Sequence, residues 1–250
     1  MLVALVGLSD PHASHAATPS DEAETTLSLG AARSNRSMFG DVSDKPKWSP
    51  IFEANYQKGR FFAGTQRGIG YNLLQESGFH AFVAAGADPG RKDSPRLVGM
   101  GKIDGAALAI AGVGYSALDG LFKLNATHIA SAKRSYGSQT VVNAALAFPI
   151  WGDKLGGSVS LGATHADRKH AQTYYGVTAA QAARSGNRVY HAKAGWISCD
   201  LSVGLNYEID KHWSASASIG RHEMRESAAL SPLFSTKKST GGAASITYRF

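Results

Sequence analysis

Three stretches of this 250-residue chain carry residue types that could do chemistry. Gly112-Val113-Gly114-Tyr115-Ser116-Ala117 has the G-x-G-x-x-A spacing with which a glycine-rich turn offers backbone N–H groups to a pyrophosphate. That chemistry needs a helix starting at the turn, whereas this motif lies inside a long strand pattern with no helix after it. Small residues in a sheet wall account for it better. Ser235-Thr236-Lys237-Lys238 fits S-x-x-K, a serine nucleophile with a lysine base. Those residues act from a buried helix with an S-D-N partner, and here they sit in a polar loop without one. His165, Asp167 and His170 suggest a metal or acid–base group, but a strand end does not fix ligand geometry at that spacing. H-E-x-x-H and G-x-S-x-G do not occur. His128, His165, His191 and His222 all fall near the same ends of their strands, where a polar rim residue is ordinary. The expectation is no catalytic residue, no metal ligand and no cofactor. An outer-wall hydrolase with a Ser beside His165 or His128 is the enzymatic alternative.

The elements that hold these residues follow from an alternation with period two, the mark of strands with one apolar and one polar face. Trp213, Ala215, Ala217 and Ile219 alternate with Ser214, Ser216 and Ser218. Leu201, Val203, Leu205 and Tyr207 alternate with Ser202, Gly204, Asn206 and Glu208, and Ala244, Ile246, Tyr248 and Phe250 with Ser245, Thr247 and Arg249. About twelve such segments occur, at 25–33, 49–57, 60–66, 69–74, 78–87, 103–118, 121–131, 140–151, 155–166, 191–208, 212–223 and 239–250. Joins after even-numbered strands are tight, as at Asp119-Gly120 and Asp210-Lys211. Most joins after odd-numbered strands are long and polar, the 167–190 stretch above all, although Arg67-Gly68 is short.

Composition narrows the class. Charged residues are 18% of the chain against roughly 25% in soluble domains. Cys199 has no partner, so there is no disulfide framework, and the longest uncharged apolar stretch, Gly105 to Leu118, is short of the ~20 residues a spanning helix needs. Aromatics cluster at the tight-turn end: Tyr56, Phe61, Tyr71, Phe79, Phe122, Phe148, Trp151, Tyr207, Trp213, Tyr248 and Phe250. An even strand count, unequal loops, an aromatic girdle and almost uncharged apolar faces predict an all-β, single antiparallel transmembrane barrel of about 12 strands, of outer-membrane type. Apolar side chains face lipid, and Ser, Thr, Asn and Lys face a wet lumen.

The net charge of +7 sits in loops, at Arg91-Lys92, Lys133-Arg134, Arg168-Lys169-His170 and Lys237-Lys238. Lipopolysaccharide is a fitting partner, and no stripe of basic and aromatic residues suits nucleic acid. Residues 1–16 read as a truncated signal peptide, with an apolar run Met1 to Leu8 and Ser14-His15-Ala16 as the cleavage site. Residues 17–24 are a polar lead-in, and 25–250 form the barrel. The terminal Phe250, with Tyr248 on the same face, resembles the signal read by the barrel assembly machinery.

Several segments together resemble the MipA/OmpV family of MltA-interacting proteins. They are Arg60-Phe61-Phe62-Ala63-Gly64 through Gly68-Ile69-Gly70-Tyr71, the loop Tyr174-Tyr175-Gly176-Val177-Thr178 with Gln181-Ala182 and Ser185-Gly186, then Ser231-Pro232-Leu233 and Tyr248-Arg249-Phe250. The resemblance implies an integral outer-membrane protein, hence one of a Gram-negative bacterium, and the barrel is expected to be a monomer. The resemblance also implies a non-enzymatic scaffold bringing a murein transglycosylase to a penicillin-binding protein. A narrow channel for small polar or anionic solutes is the rival reading.

Overall fold

The computed structural model describes residues 22–34, 47–92 and 97–250. The expected signal peptide and most of the polar lead-in lie outside the described residues. Twelve strands run β1 Glu24–Ser34, β2 Lys47–Lys58, β3 Phe61–Gly64, β4 Gly68–Glu76, β5 Phe79–Asp88, β6 Ala106–Ala117, β7 Phe122–Ser131, β8 Ser138–Trp151, β9 Leu155–Ala166, β10 Gly195–Glu208, β11 Trp213–Met224 and β12 Lys238–Arg249. Three short helices, α1 Arg168–Tyr175, α2 Ala179–Ser185 and α3 Glu226–Ala229, lie in the long connections. Each strand pairs antiparallel with its chain neighbours. The barrel closes where β1 meets β12, from Thr26 opposite Arg249 to Ser34 opposite Gly241.

The alternation maps onto the wall as the sequence predicts, and in the sense opposite to a soluble barrel. Ser160, Ser214 and Ser245 are buried inside, while Leu161, Ile219 and Ile246 stand 51–59% exposed outside. Hydroxyls pair across strands in the lumen: Ser160 with Ser202 at 2.7 Å, Ser28 with Thr247 at 2.8 Å and Ser216 with Ser245 at 2.9 Å. Left in water, each exposed apolar side chain would forfeit roughly 25 cal/mol per Å². In hydrocarbon that penalty vanishes, and the closed ladder leaves few backbone groups unpaired. Tyr207, Trp213, Tyr248 and Phe250 form part of the outward girdle at the tight-turn end, with Tyr248 packed 4.8 Å from Trp213 and 4.7 Å from Phe250.

Three expectations need correction. The third strand is short, Phe61–Gly64 rather than 60–66, so the turn Thr65–Arg67 lies low in the wall. Above it, β2 from Trp48 to Glu53 keeps only its β1 neighbour among the described strands. Pro50 falls in this stretch, as expected of a residue that cannot complete a central ladder. The lumen is also not uniformly polar. Phe62 and Phe82 point inward and meet edge-on at 5.8 Å, with the Arg67 guanidinium 4.1 Å over Phe62. Room for the rings comes from glycine: a Cβ at Gly112 would lie 2.2 Å from the Phe82 ring, and one at Gly70 2.4 Å from Phe62. The first two glycines of Gly112-x-Gly114 are therefore wall positions beneath the Phe82 and His80 rings. Finally, the outward faces, expected to carry almost no charge, carry Arg33, Arg221, Glu223 and Lys238 near the long-loop end and Lys58 at the tight-turn end.

Candidate functional site

The long-loop end of the barrel carries a lid. It is built mainly from the connection between β9 and β10. Asp167 caps α1 by accepting from the His170 N–H at 2.7 Å, and it also accepts from the Ser138 N–H (2.9 Å) and hydroxyl (3.0 Å). After α1 the chain turns at Gly176, where a Cβ would lie 2.1 Å from the Gln172 amide nitrogen. Val177 then bridges Tyr190 with two backbone bonds of 2.8 and 2.9 Å. Thr178 and Gln181 form a reciprocal capping box at the start of α2.

Two apolar clusters knit this lid to its neighbours. One gathers Ala171, Tyr174 and Tyr175 with Ile103, Ile197 and Ala228; the other sets Val177 against Leu97, Met100 and Leu233. Polar ties reinforce them. Gln181 donates to the Met100 carbonyl at 2.9 Å, Tyr190 to that of Ser227 at 2.6 Å, and Ser231 to that of Tyr175 at 2.6 Å. The Tyr174 hydroxyl donates to the Asp88 carboxylate, reaching from above β9 to the end of β5, four places away in the closed sheet. Burial pushes the Tyr174 phenol well above its ordinary range.

All seven residues of the loop motif thus sit in the lid. Tyr174, Tyr175 and Val177 supply its buried side chains, Gly176 its turn, Thr178 and Gln181 its cap, and Ala182 packs beside Val177's cluster. Tyr248 and Phe250 lie at the opposite end, where the Phe250 N–H reaches the Thr25 carbonyl at 3.1 Å. The expected loop cation Arg91 is instead buried under the lid, 3% exposed.

The candidate chemical residues do not converge. His165 faces outward against Trp196, ring centroids 5.5 Å apart, whereas Asp167 serves as a helix cap and His170 is buried on Tyr174 at 4.6 Å. His128 meets the Thr140 hydroxyl at 3.0 Å on the outer wall, and His222 meets Asp200 at 2.7 Å in the lumen. Among the described residues no group of three potential metal ligands comes together. Below the lid, toward the tight-turn end, the lumen holds a cavity of about 90 Å³, edged by Ser28, Ser158, Asn206, Ser216, Thr247 and the carboxylate residue Glu53. It has room for several waters.

Sequence reasoning missed the lid helices. The signals were present: Asp167 ahead of α1, and Thr178-x-x-Gln181 as a capping-box pattern ahead of α2.

Among solved structures, the chain is similar to an outer membrane channel from Pseudomonas putida F1, with 11% identity, 94% of this chain and 97% of that one covered, and a TM-score of 0.47. It is also similar to an anion-selective porin from Comamonas acidovorans (10%, 92% and 99%, TM-score 0.41) and to Salmonella typhi OmpF in complex with daunomycin (9%, 92% and 97%, TM-score 0.40). No curated protein matches the sequence. The family model of MltA-interacting protein MipA matches residues 27–250, which is the whole barrel apart from the first residues of β1. A closed twelve-stranded wall, apolar outside and hydroxyl-lined within, and a family match over its length lead to one assignment: this is an outer-membrane β-barrel, and the chain belongs to the MltA-interacting protein MipA family.

Proposed function

We propose that the chain is a non-enzymatic scaffold of the outer membrane, holding a murein transglycosylase, and through it a penicillin-binding protein, at the periplasmic end of the barrel. The observation that carries this reading is the lid. Two apolar clusters and a set of buried hydrogen bonds span the outer mouth, an arrangement suited to a closed barrel rather than an open pore. The family's name points to the transglycosylase as first partner. A channel for small polar solutes is the second reading, favoured by the hydroxyl-lined cavity in the lumen. Planar-bilayer recording and co-purification separate them. The scaffold predicts a silent bilayer at neutral pH and a transglycosylase that co-purifies with the intact barrel. Steady single-channel steps without a co-purifying transglycosylase would reverse the choice.

Assembly of the barrel is expected to depend on the last residue. Phe250 is 69% exposed on the outward face and packs edge-on against Tyr248, so its deletion removes little internal packing. Deletion should still lower the outer-membrane level of the protein severalfold, if the ring is read by the assembly machinery. Quantitative blotting of membrane fractions measures this, and normal levels of the truncated chain would count against the assembly signal.

A further inference from the structure

Above the aromatic girdle, the cations on the described outer wall are confined to one sector. On the described outward faces from β2 to β10, above the aromatic girdle, there is no Lys, Arg, Asp or Glu; the rim positions are uncharged residues such as Trp48, Ala87, Ala107, Thr140, Trp196 and Cys199, with His128 and His165. The neighbouring trio β11, β12 and β1 differs. Arg33 and Arg221 are both exposed there, Lys238 begins β12, and Arg225 follows β11. Glu223 is the single carboxylate on these strand faces, 3.2 Å from Arg225 and 3.5 Å from Lys238, and Glu226 beyond it accepts from the Trp196 N–H at 3.0 Å. Of these four cations, Arg33 and Arg221 are left without a carboxylate partner among the described residues, and the sector is net basic.

Register sets the spacing of the two arginines. Arg33 lies opposite Gly242, Gly242 lies opposite Ile219, and Arg221 is two residues further along β11. Two strand spacings across and two residues along place their backbones about 12 Å apart. Two guanidiniums at that separation suit two phosphates on one scaffold better than a single phosphodiester, and each can bind its phosphate in the bidentate mode. Trp48 stands beside Arg33, its ring 5.8 Å from the guanidinium and 69% exposed, presenting an aromatic surface at headgroup height. Beneath the cations the wall becomes a smooth apolar strip: Ala31 opposite Ala244, and Leu29 opposite Ile246.

We infer that this sector is a binding site for the phosphorylated glycolipid of the outer leaflet. Arg33 and Arg221 each take one sugar phosphate, Trp48 lies against the sugar, and the acyl chains run down the Ala31–Ala244 strip. The site faces lipid at the long-loop end, the side that the outer leaflet contacts. It rests on the outer-membrane placement of the barrel and is independent of the scaffold role.

The test uses the full-length barrel purified in detergent, with native mass spectrometry to read lipid retention. Lipid A carrying both phosphates should bind at least about tenfold more tightly than the same lipid A with its phosphates removed. Arg33→Ala with Arg221→Ala should abolish that preference while leaving heat-modifiable gel mobility intact, since both side chains point away from the protein. Equal binding of the two lipid A forms to the wild type would overturn the site, and this comparison needs no variant to fold. Displacement by equimolar phosphatidylglycerol would overturn it too, by showing a general preference for anionic lipid. So would a folded double variant that still prefers the phosphorylated form.

Discussion

Arginine at position 217 should destabilise the barrel by about 2–4 kcal/mol, and arginine at position 216 by clearly less. The two positions are adjacent on β11 and differ only in the face they occupy. Ala217 is exposed on the outer wall, opposite Ala244 and Leu205, midway between the girdle residue Trp213 and the rim residue Arg221. A guanidinium there must stay in hydrocarbon or draw water and headgroups inward. Ser216 points the other way, its hydroxyl 2.9 Å from that of Ser245 at the edge of the lumen cavity. An arginine there loses one hydroxyl pair but stays in contact with water and with Glu53. Arg221 itself, four residues above Ala217, shows that cations are accepted once the strand reaches headgroup depth. Denaturant unfolding of the two variants in lipid or detergent measures the difference. Equal losses would mean that the inside and outside of the wall have been exchanged.

Acidification from pH 7 to pH 5 should loosen the lid, through His170. Burial lowers its pKa from 6.5 to about 4, an effect that the nearby carboxylates of Asp167 and Asp88 only partly offset. The imidazole Nε2 is buried without a hydrogen-bond partner in the structure, so the closed lid holds the ring neutral. An opened lid returns the ring to water and to its ordinary pKa. Protons then favour the open form, and the closed form loses about 1.4 kcal/mol per pH unit as pH falls from 6.5 toward 4. Asp167 acts only at lower pH. Burial raises its pKa, but the bonds from His170 and Ser138 outweigh that and hold it below 3.8, so its contribution to the cap persists at pH 5. Hydrogen exchange across residues 168–185, corrected for intrinsic rates, should therefore show faster opening at pH 5 than at pH 7. His170→Phe should remove the difference. Unchanged protection in the wild type, or the same acid response in the variant, would exclude His170 as the source.

The wall was legible in the sequence because a two-residue period survives wherever one face meets lipid and the other water. Segments such as Trp213–Ile219 leave no other reading. The edges that moved were those where the pattern runs out: β3 ends at Gly64 because Asn55 of β2 is its last ladder partner. Inward Phe62 and Phe82 were hidden for a different reason. Both neighbouring faces of β3 and β5 carry apolar residues, and the glycines that admit the rings, Gly70 and Gly112, lie on other strands. The lid was hidden by length, since helices of eight and seven residues are too short to show a period, and only their caps marked them. Lys133 and Arg168, by contrast, are exposed connection residues just as the charge pattern suggested.

The low crest between β3 and β4 bears on the membrane as well as on the protein. With only four residues in β3, the wall there offers a shorter hydrophobic height than the twelve-residue strands β6, β9 and β11 present elsewhere. A bilayer of uniform thickness cannot match both sides at once. Acyl chains beside the crest must shorten or splay, at a fraction of a kcal/mol per Å of mismatch. Lipid beside this crest therefore meets a lower wall than lipid elsewhere around the described strands, which gives the barrel a preferred azimuth toward its neighbours in the membrane plane.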